Sequence, residues 1–433
     1  VLSAASSAPW VFRWGWGEAL PGPARCCYVP AVHKAFRFRL YPTSEQEQQL
    51  AETAGTVRFV YNLALEQRRD FWRQFKRVTG SVLNFASQGR EVTALRREFD
   101  WIQAAPSNAL TQALRDLDKA FSAYFKGNAG FPQFRRRGVN ESFRVQSNQC
   151  AVRPLNTKWS AVRLPNIGWV KFRLTRHITG TQQSITVSRD ALGWHVSFAC
   201  CNVPPAVTSD RAPIVAIDRG IVRSLTLSTG EVFNLPQSVS ALELLSRHKR
   251  RSASKKRRGS NRARAARKQI ARVLARIARI RSDWRHRVST HLASRFEAVA
   301  VEDLKVRNMT ASATGNGRSA KAGLNREIRA QGWSAFETTL AYKLEERGGT
   351  LIKVHPAYSS QECSACGVVD KRSRKSQAAF SCVHCGFALN ADHNAALNLL
   401  RRSTALMGVE GPGCRPAETS TGGRLRPVEN LAA

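Results

Sequence analysis

KVHPAYSSQECSACGVVDKRSRKSQAAFSCVHCGFALNADHNAALNLL, residues 353–400, carries two cysteine pairs and then an isolated carboxylate. Cys363 and Cys366 make the first C-x-x-C, and after fifteen intervening residues Cys382 and Cys385 make the second. Each pair presents two thiolates from one tight turn. Gly367 and Gly386 follow directly and permit the left-handed backbone such a knuckle needs. Two knuckles of this kind form a closed tetrahedral four-thiolate site, the geometry of structural Zn2+. Thiolates also hold iron–sulfur clusters, and four buried cysteines without metal are the plain alternative, but the spacing favours zinc. A closed site has no open position, so the expected role is structural. Asp392 then opens an apolar-periodic helix over 391–401.

Upstream of this segment the pattern alternates between buried-type strands and helices. Residues 213–218 (PIVAID), 224–228 and 231–233 read as strands. Ile270, Val273, Leu274, Ile277, Ile280, Trp284, Val288 and Leu292 form a helical stripe. A strand at 298–301 ends on Glu302, a helix covers 333–347, and a strand covers 350–354. Meander, helix, strand, helix, strand, helix is the order of an RNase H-like fold. That fold gathers carboxylates from its first strand, its fourth strand and a late helix. Here those are Asp218, Glu302 and Asp392. Each alone reads as a turn or cap residue. Together they repel one another unless cations bridge them. Hard oxygen donors suit Mg2+ or Mn2+, and such ions promote phosphodiester hydrolysis.

Charge points the same way. The 433 residues hold 68 Lys plus Arg against 31 Asp plus Glu, a net +37. An excess of that size calls for a polyanion, and nucleic acid is the usual one. The densest run is RHKRRSASKKRRGSNRARAARKQ, 247–269, with almost no acidic residues to pair it. Arg250, Arg251, Lys255, Lys256, Arg257 and Arg258 are its candidate phosphate contacts. Arg135, Arg136 and Arg137 lie among Phe131, Phe134 and Phe143, an interleaving that serves either base stacking or a core and its surface. Hydrophobic residues are 42% of the chain, which excludes a wholly disordered protein. No apolar run approaches the roughly 20 residues that span a bilayer. Residues 1–30 lack the basic start and apolar core of a signal peptide, so none is expected.

The N-terminal half is read as two interleaved units. Residues 34–41 alternate as a strand, with Phe36, Phe38 and Leu40 on one face. Thr43 and Ser44 offer N-caps to a helix whose stripe runs through Leu50, Ala54, Val57, Val60, Tyr61 and Leu65. Further helices cover 89–98 and 106–126, and short strands fill 142–203, as in a small barrel or sandwich. The first strand is expected to join those strands, leaving the helices as an insertion.

The chain resembles TnpB, the OrfB-type protein of insertion sequences and a relative of the type V CRISPR effectors. The resemblance rests on KAFRFRLYPTSEQEQQL, FPQFRRRG, AIDRGI, VAVEDLKVRNMT and the cysteine segment through NADHNAALNLL, together spanning about 34–402. It implies a RuvC-like nuclease domain (207–359 and 389–402) with a zinc ribbon inserted at 360–388. It implies a wedge-like β-barrel (34–43 and 140–206) carrying a helical recognition insertion (44–139). Residues 1–33 are left unassigned and 403–433 are expected to be a disordered tail; 307–325 reads as a mobile loop. The implied activity is RNA-guided, Mg2+- or Mn2+-dependent cleavage of double-stranded DNA, with a guide RNA from the transposon's own end. The implied setting is cytoplasmic and nucleoid-associated, with neither membrane nor small-molecule substrate. Arg219 stands where many members carry an apolar residue after the first acid. The alternative is a zinc-ribbon nucleic-acid binder serving transposition without nuclease activity. The sequence shows no tyrosine nucleophile beside paired histidines, the pattern of the single-strand tyrosine transposases.

Overall fold

The computed structural model describes residues 32–74, 83–204, 210–312 and 317–407. Strand β1 (Val32–Tyr41) begins two residues before the alternating stretch. Helix α1 (Ser44–Gln74) starts at a reciprocal cap: the Gln46 N–H donates to Thr43 Oγ1 and the Thr43 N–H to Gln46 Oε1. The expected stripe is buried, Leu50, Val57, Val60 and Leu65 almost completely. Helices α2 (Phe85–Glu98), α3 (Asp100–Gln103) and α4 (Ser107–Phe125) complete the insertion. The α4 face of Leu110, Ala113, Leu114, Leu117 and Phe121 is buried, in the same core as the inner face of β1.

Six strands follow: β2 (Ser142–Gln146), β3 (Ala151–Pro154), β4 (Trp159–Leu164), β5 (Gly168–Arg173), β6 (Thr181–Asp190) and β7 (Gly193–Val203). With β1 they form one seven-stranded sheet in the order β2-β6-β7-β1-β5-β4-β3. As expected, β1 belongs to it, antiparallel to both β7 and β5. The expected barrel is not closed by strand pairing: β2 and β3 are the two edges, and a 3-10 turn over Ser147–Gln149 joins them. Phe143 faces the core at 2% exposure, which removes it from the candidate stacking residues.

The second unit is built on a five-stranded sheet ordered β10-β9-β8-β11-β12. Its strands are β8 (Ala212–Asp218), β9 (Leu225–Leu227), β10 (Val232–Phe233), β11 (Phe296–Glu302) and β12 (Thr350–Val354). The first three are an antiparallel meander, while β8, β11 and β12 run parallel. Between them lie α5 (Gln237–Ser254), α6 (Asn261–Arg295), α7 (Val306–Met309), α8 (Arg318–Gln331) and α9 (Trp333–Glu345). The last helix, α10 (Ala391–Met407), follows β13 (Ala379–Ser381) and β14 (Ala388–Asn390).

The period-two alternation of β8 and β11 decides which helix covers which face. Val215, Ile217, Val299 and Val301 pack with Val288 and Leu292 of α6 and Phe336 and Leu340 of α9. Ala216 and Ala300 point the other way and meet Leu399 of α10. Those small side chains let α10 lie close to the sheet. Arg279 of α6 reaches Asp190 at 2.9 Å, and Lys34 reaches Glu346 at 2.7 Å, tying the two units together.

Two further expectations are corrected. The segment 307–325 is not a bare loop: α7 and the first half of α8 occupy most of it. The Asn325 side chain donates to the Thr310 carbonyl at 3.0 Å, a tertiary anchor that Ser/Gly/Asn composition does not reveal. The last helix runs on to Met407, past the expected boundary at 402, with Ser403 and Thr404 buried. The rest of the expected tail, and residues 1–31, lie outside the described residues.

Candidate active site and metal centre

Alternation also places the acids. Ile217 pairs with Val301 across β8 and β11, so the next residues, Asp218 and Glu302, stand side by side. Both belong to the Ala216/Ala300 face, toward α10. Asp392, second residue of α10, comes to the same face; the Asn390 side chain accepts from its N–H at 3.1 Å and holds the helix start. The three residues named from sequence thus converge from three elements. Burial, then the Glu302 and Asp392 carboxylates, push the Asp218 carboxyl well above the usual range, against Arg374 and Arg219. Burial raises Glu302, opposed by Arg219, and raises Asp392, opposed by Arg223 and Arg374.

Arg219 is the residue the sequence reading undervalued. It is 4% exposed and lies directly after Asp218. One Nη donates to the main-chain carbonyl of Glu302, and the other approaches Glu337 Oε2 of α9 at 3.4 Å. Glu337 also receives Lys353 of β12 at 2.5 Å. One guanidinium therefore joins the ends of β8 and β11 to α9, and through Glu337 to β12. A charged residue closing an otherwise apolar strand, IVAIDR, was the available signal.

The cysteine segment folds as expected into two knuckles, with Gly367 at φ 77° and Gly386 at φ 74°. Cys363 Sγ lies 3.7 Å from Cys385 Sγ, and Cys366 Sγ 3.7 Å from Cys382 Sγ. Among the described residues this is the one group of three or more His, Cys, Asp or Glu donors all within 4.8 Å of one another. The three carboxylates feel each other's charge without forming so tight a cluster. Burial pushes the Cys363 thiol up to about 12. Burial also acts upward on Cys382, but the Cys385 and His384 N–H groups and the neighbouring thiols outweigh it and bring it down to about 6.

Fully buried asparagines fasten this ribbon to α10. Asn394 accepts from the Ser364 N–H at 3.0 Å and donates to the Glu362 carbonyl at 2.7 Å. Asn398 donates to the Ser359 and Glu362 carbonyls at 2.9 and 2.7 Å. The Glu362 carboxylate takes Arg401 and, at 2.5 Å, Arg402. The first knuckle and the helix bearing Asp392 are thus one hydrogen-bonded block.

The candidate phosphate contacts divide. Arg250, Arg251, Lys255, Lys256, Arg257 and Arg258 lie where α5 ends and α6 begins, and none forms an ion pair among the described residues. Arg136 and Arg137 are exposed. Arg135 is engaged internally: its guanidinium lies 3.9 Å over the Tyr61 ring and pairs with Asp116 at 3.2 Å. Phe131 and Phe134 remain exposed beside it.

Three family profiles match successive parts of the chain. A helix-turn-helix domain of the OrfB/IS605 group covers 32–77, the OrfB/IS605 family described as "Probable transposase" covers 198–313, and a Cas12f1-like TNB domain covers 333–399. InsQ of Escherichia coli (strain K12), whose name reads "Putative RNA-guided DNA endonuclease InsQ", is 35% identical over 382 residues, 86% of this chain and 93% of that protein. The chain belongs to the OrfB/IS605, TnpB-like family. A Streptomyces pristinaespiralis member with the same activity in its name is 32% identical over 407 residues, 90% of this chain and 94% of that one. A solved Cas12f1–sgRNA–target DNA complex aligns at 14% identity and TM-score 0.49, covering 85% of this chain and 98% of that one. Within the helix-turn-helix match, the TnpB-like chain shows β1 and the single helix α1 as far as Gln74. No helix among the described residues is long and apolar enough to cross a membrane.

Proposed function

We propose that this chain is a transposon-encoded RNA-guided DNA endonuclease whose active site is Asp218, Glu302 and Asp392. The carrying observation is their convergence on one face of the β8–β11 sheet, at the mouth of α10. On this reading the five-stranded unit is the RuvC-like nuclease domain. The seven-stranded sheet is its wedge and α1–α4 the recognition insertion. Family membership and the net charge of +37 support a guide RNA from the transposon end and a double-stranded DNA target as partners.

The donor set fits hard divalent cations: three carboxylates with elevated proton affinity, partly relieved by Arg219 and Arg374. Mg2+ or Mn2+ held there supplies the charge that activates water and stabilises the leaving oxygen in phosphodiester hydrolysis. The protein's part is placement. Arg219 fixes the end of β11, Asn390 fixes the start of α10, and Arg223 and Arg374 add positive potential beside Asp392 for an incoming phosphate. The four cysteines fit structural Zn2+: Zn–S bonds of about 2.3 Å set tetrahedral S···S edges near 3.8 Å, against the 3.7 Å found.

The test is plasmid cleavage with the RNA that copurifies with the protein, beside a binding assay. Asp218→Ala, Glu302→Ala and Asp392→Ala are each expected to abolish cleavage while leaving RNA and DNA binding near parental. Affinity is spread over many basic contacts, whereas each acid is one of a few metal ligands. Cleavage unchanged in Asp218→Ala refutes the assignment. A parent that binds RNA and target yet never cuts in Mg2+ is an accessory binder instead.

A further inference from the structure

We propose that an open cleft between α5, α6 and α8 binds a phosphodiester-linked nucleotide of the nucleic acid handled by this protein. The cleft holds about 410 Å³ and lies apart from the carboxylates. Small-ligand sites span about 300–1,000 Å³, so one nucleotide fits the space.

The walls are cationic. Arg247 and Arg250 come from α5, and Arg326 and Arg329 from α8. Each pair is three residues apart, which puts both members on one helix face. The single carboxylate in the lining, Glu243, is already paired with Arg281. Arg247, Arg250 and Arg326 form no ion pair among the described residues, and Arg329 donates to the Thr310 carbonyl at 3.2 Å. Converging guanidiniums without counter-charge repel one another, and a backbone phosphate is the group that relieves this while using their forked donors.

The floor is apolar. Ile277 is buried, but Leu274, one turn earlier on the same α6 face, is 39% exposed. It is a break in a stripe whose neighbours Val273 and Ile277 pack against α5. A cationic rim over an exposed apolar floor matches a nucleotide, with phosphate on the rim and sugar or base on Leu274. RNA and DNA share this chemistry. The inference takes only its ligand class from the proposed function, so its test reads binding and not cleavage.

Ala322 of α8 lines the cleft and is exposed. Ala322→Trp fills the space and leaves every charge in place. Full-length parent and variant are titrated with labelled oligouridylate and oligothymidylate over a range of salt, with thermal unfolding as the fold control. Excluding one phosphate is expected to weaken binding about 5- to 8-fold at 0.1 M salt and to flatten the salt slope by about 0.7–0.9. Loss on oligouridylate alone assigns an RNA nucleotide, loss on oligothymidylate alone a DNA nucleotide, and loss on both a shared backbone site. Parental affinity and slope on both probes, with unchanged unfolding, overturn the proposal.

Arg247→Gln/Arg326→Gln decides the matter should the tryptophan disturb folding. Two arginines sharing one phosphate lose about one contact's worth of slope together, whereas independent surface contacts lose two. The second result overturns the cleft. A chain that never cuts but shows the first result keeps the cleft and refutes only the nuclease reading.

Discussion

Replacing Arg219 with methionine tests whether this buried guanidinium is the brace of the carboxylate site. Methionine keeps most of the stem's volume and removes the charge and its donors. Two interactions go: the bond to the Glu302 carbonyl and the approach to Glu337. Hydrogen bonds to charged groups contribute about 1.5–3 kcal/mol each. The Glu337 contact, at 3.4 Å and shared with Lys353, belongs at or below the low end, because Glu337 keeps a partner. Loss of one charged partner in a buried pair costs about 3–5 kcal/mol when the other is stranded, which sets an upper bound. Relief from desolvating the guanidinium acts the other way. The expected net loss is about 2–4 kcal/mol, local to the ends of β8 and β11. Native-state hydrogen exchange is the suitable assay, since a chain of several units does not unfold as two states. At 1.36 kcal/mol per decade, protection of the Val215–Ile217 and Val299–Val301 amides should fall roughly 30- to 900-fold, and cleavage should fall with it. Protection within a factor of two or three of the parent, with parental cleavage, would refute the bracing role.

Other expected outcomes follow from the same geometry. The Asp218 carboxyl has a raised proton affinity in the fold, so the native state binds more protons than the unfolded chain between the ordinary carboxylate range and the raised value. Stability of metal-free protein should therefore fall as pH rises through that window, the penalty being absent below the unfolded pKa and complete above the folded one. Asp218→Asn should flatten the fall, seen as a smaller pH dependence of the thermal midpoint in chelator; an unchanged profile counts against the repulsion. Cys363→Ser should leave zinc well below one per chain by elemental analysis and expose 361–390 to protease, because metal binding there is folding energy. A parent that carries iron or no metal refutes the zinc assignment. Neutralising Arg250, Arg251, Lys255, Lys256, Arg257 and Arg258 together should flatten the salt slope of DNA binding by up to about 5. An unchanged slope places the tract away from the interface.

What was legible in the sequence was local. The α1 stripe, β1, the strands ending in Asp218 and Glu302, and the knuckles with their glycines are each written within one continuous short segment, and the structure forms all of them. The grouping of the acids was legible only through the order of the elements; that Asp218 and Glu302 share a face rests on the β8–β11 register, which the structure supplies. What stayed hidden depends on distant partners. Arg135 and Arg136 are neighbours in one basic run, yet only Arg135 finds Tyr61 and Asp116. Phe143 and Phe134 are both aromatic among arginines, yet only Phe143 lies on a strand facing the core. Helix α8 follows a glycine-rich approach, and its anchor is the carbonyl of Thr310, just past the end of α7. Whether a row of strands closes on itself is decided by its two edges, which carry no local mark.

The position of β1 has a consequence for the birth of the molecule. Its partner in β7 lies far along the chain, Lys34 opposite Cys200, with the helical insertion translated in between. At about 5–20 residues per second of synthesis, the strand waits roughly 8–30 s on the ribosome before that neighbour exists. Until β5, which pairs at Leu40 and Tyr41, has been made, Phe36, Phe38 and Leu40 have no sheet to enter, while α1 and α4 are already complete and share their core. The helices can shelter the nascent strand against their own apolar faces. The insertion would then act as a cradle during translation, holding the first strand until its neighbours β5 and β7 arrive to pair with it.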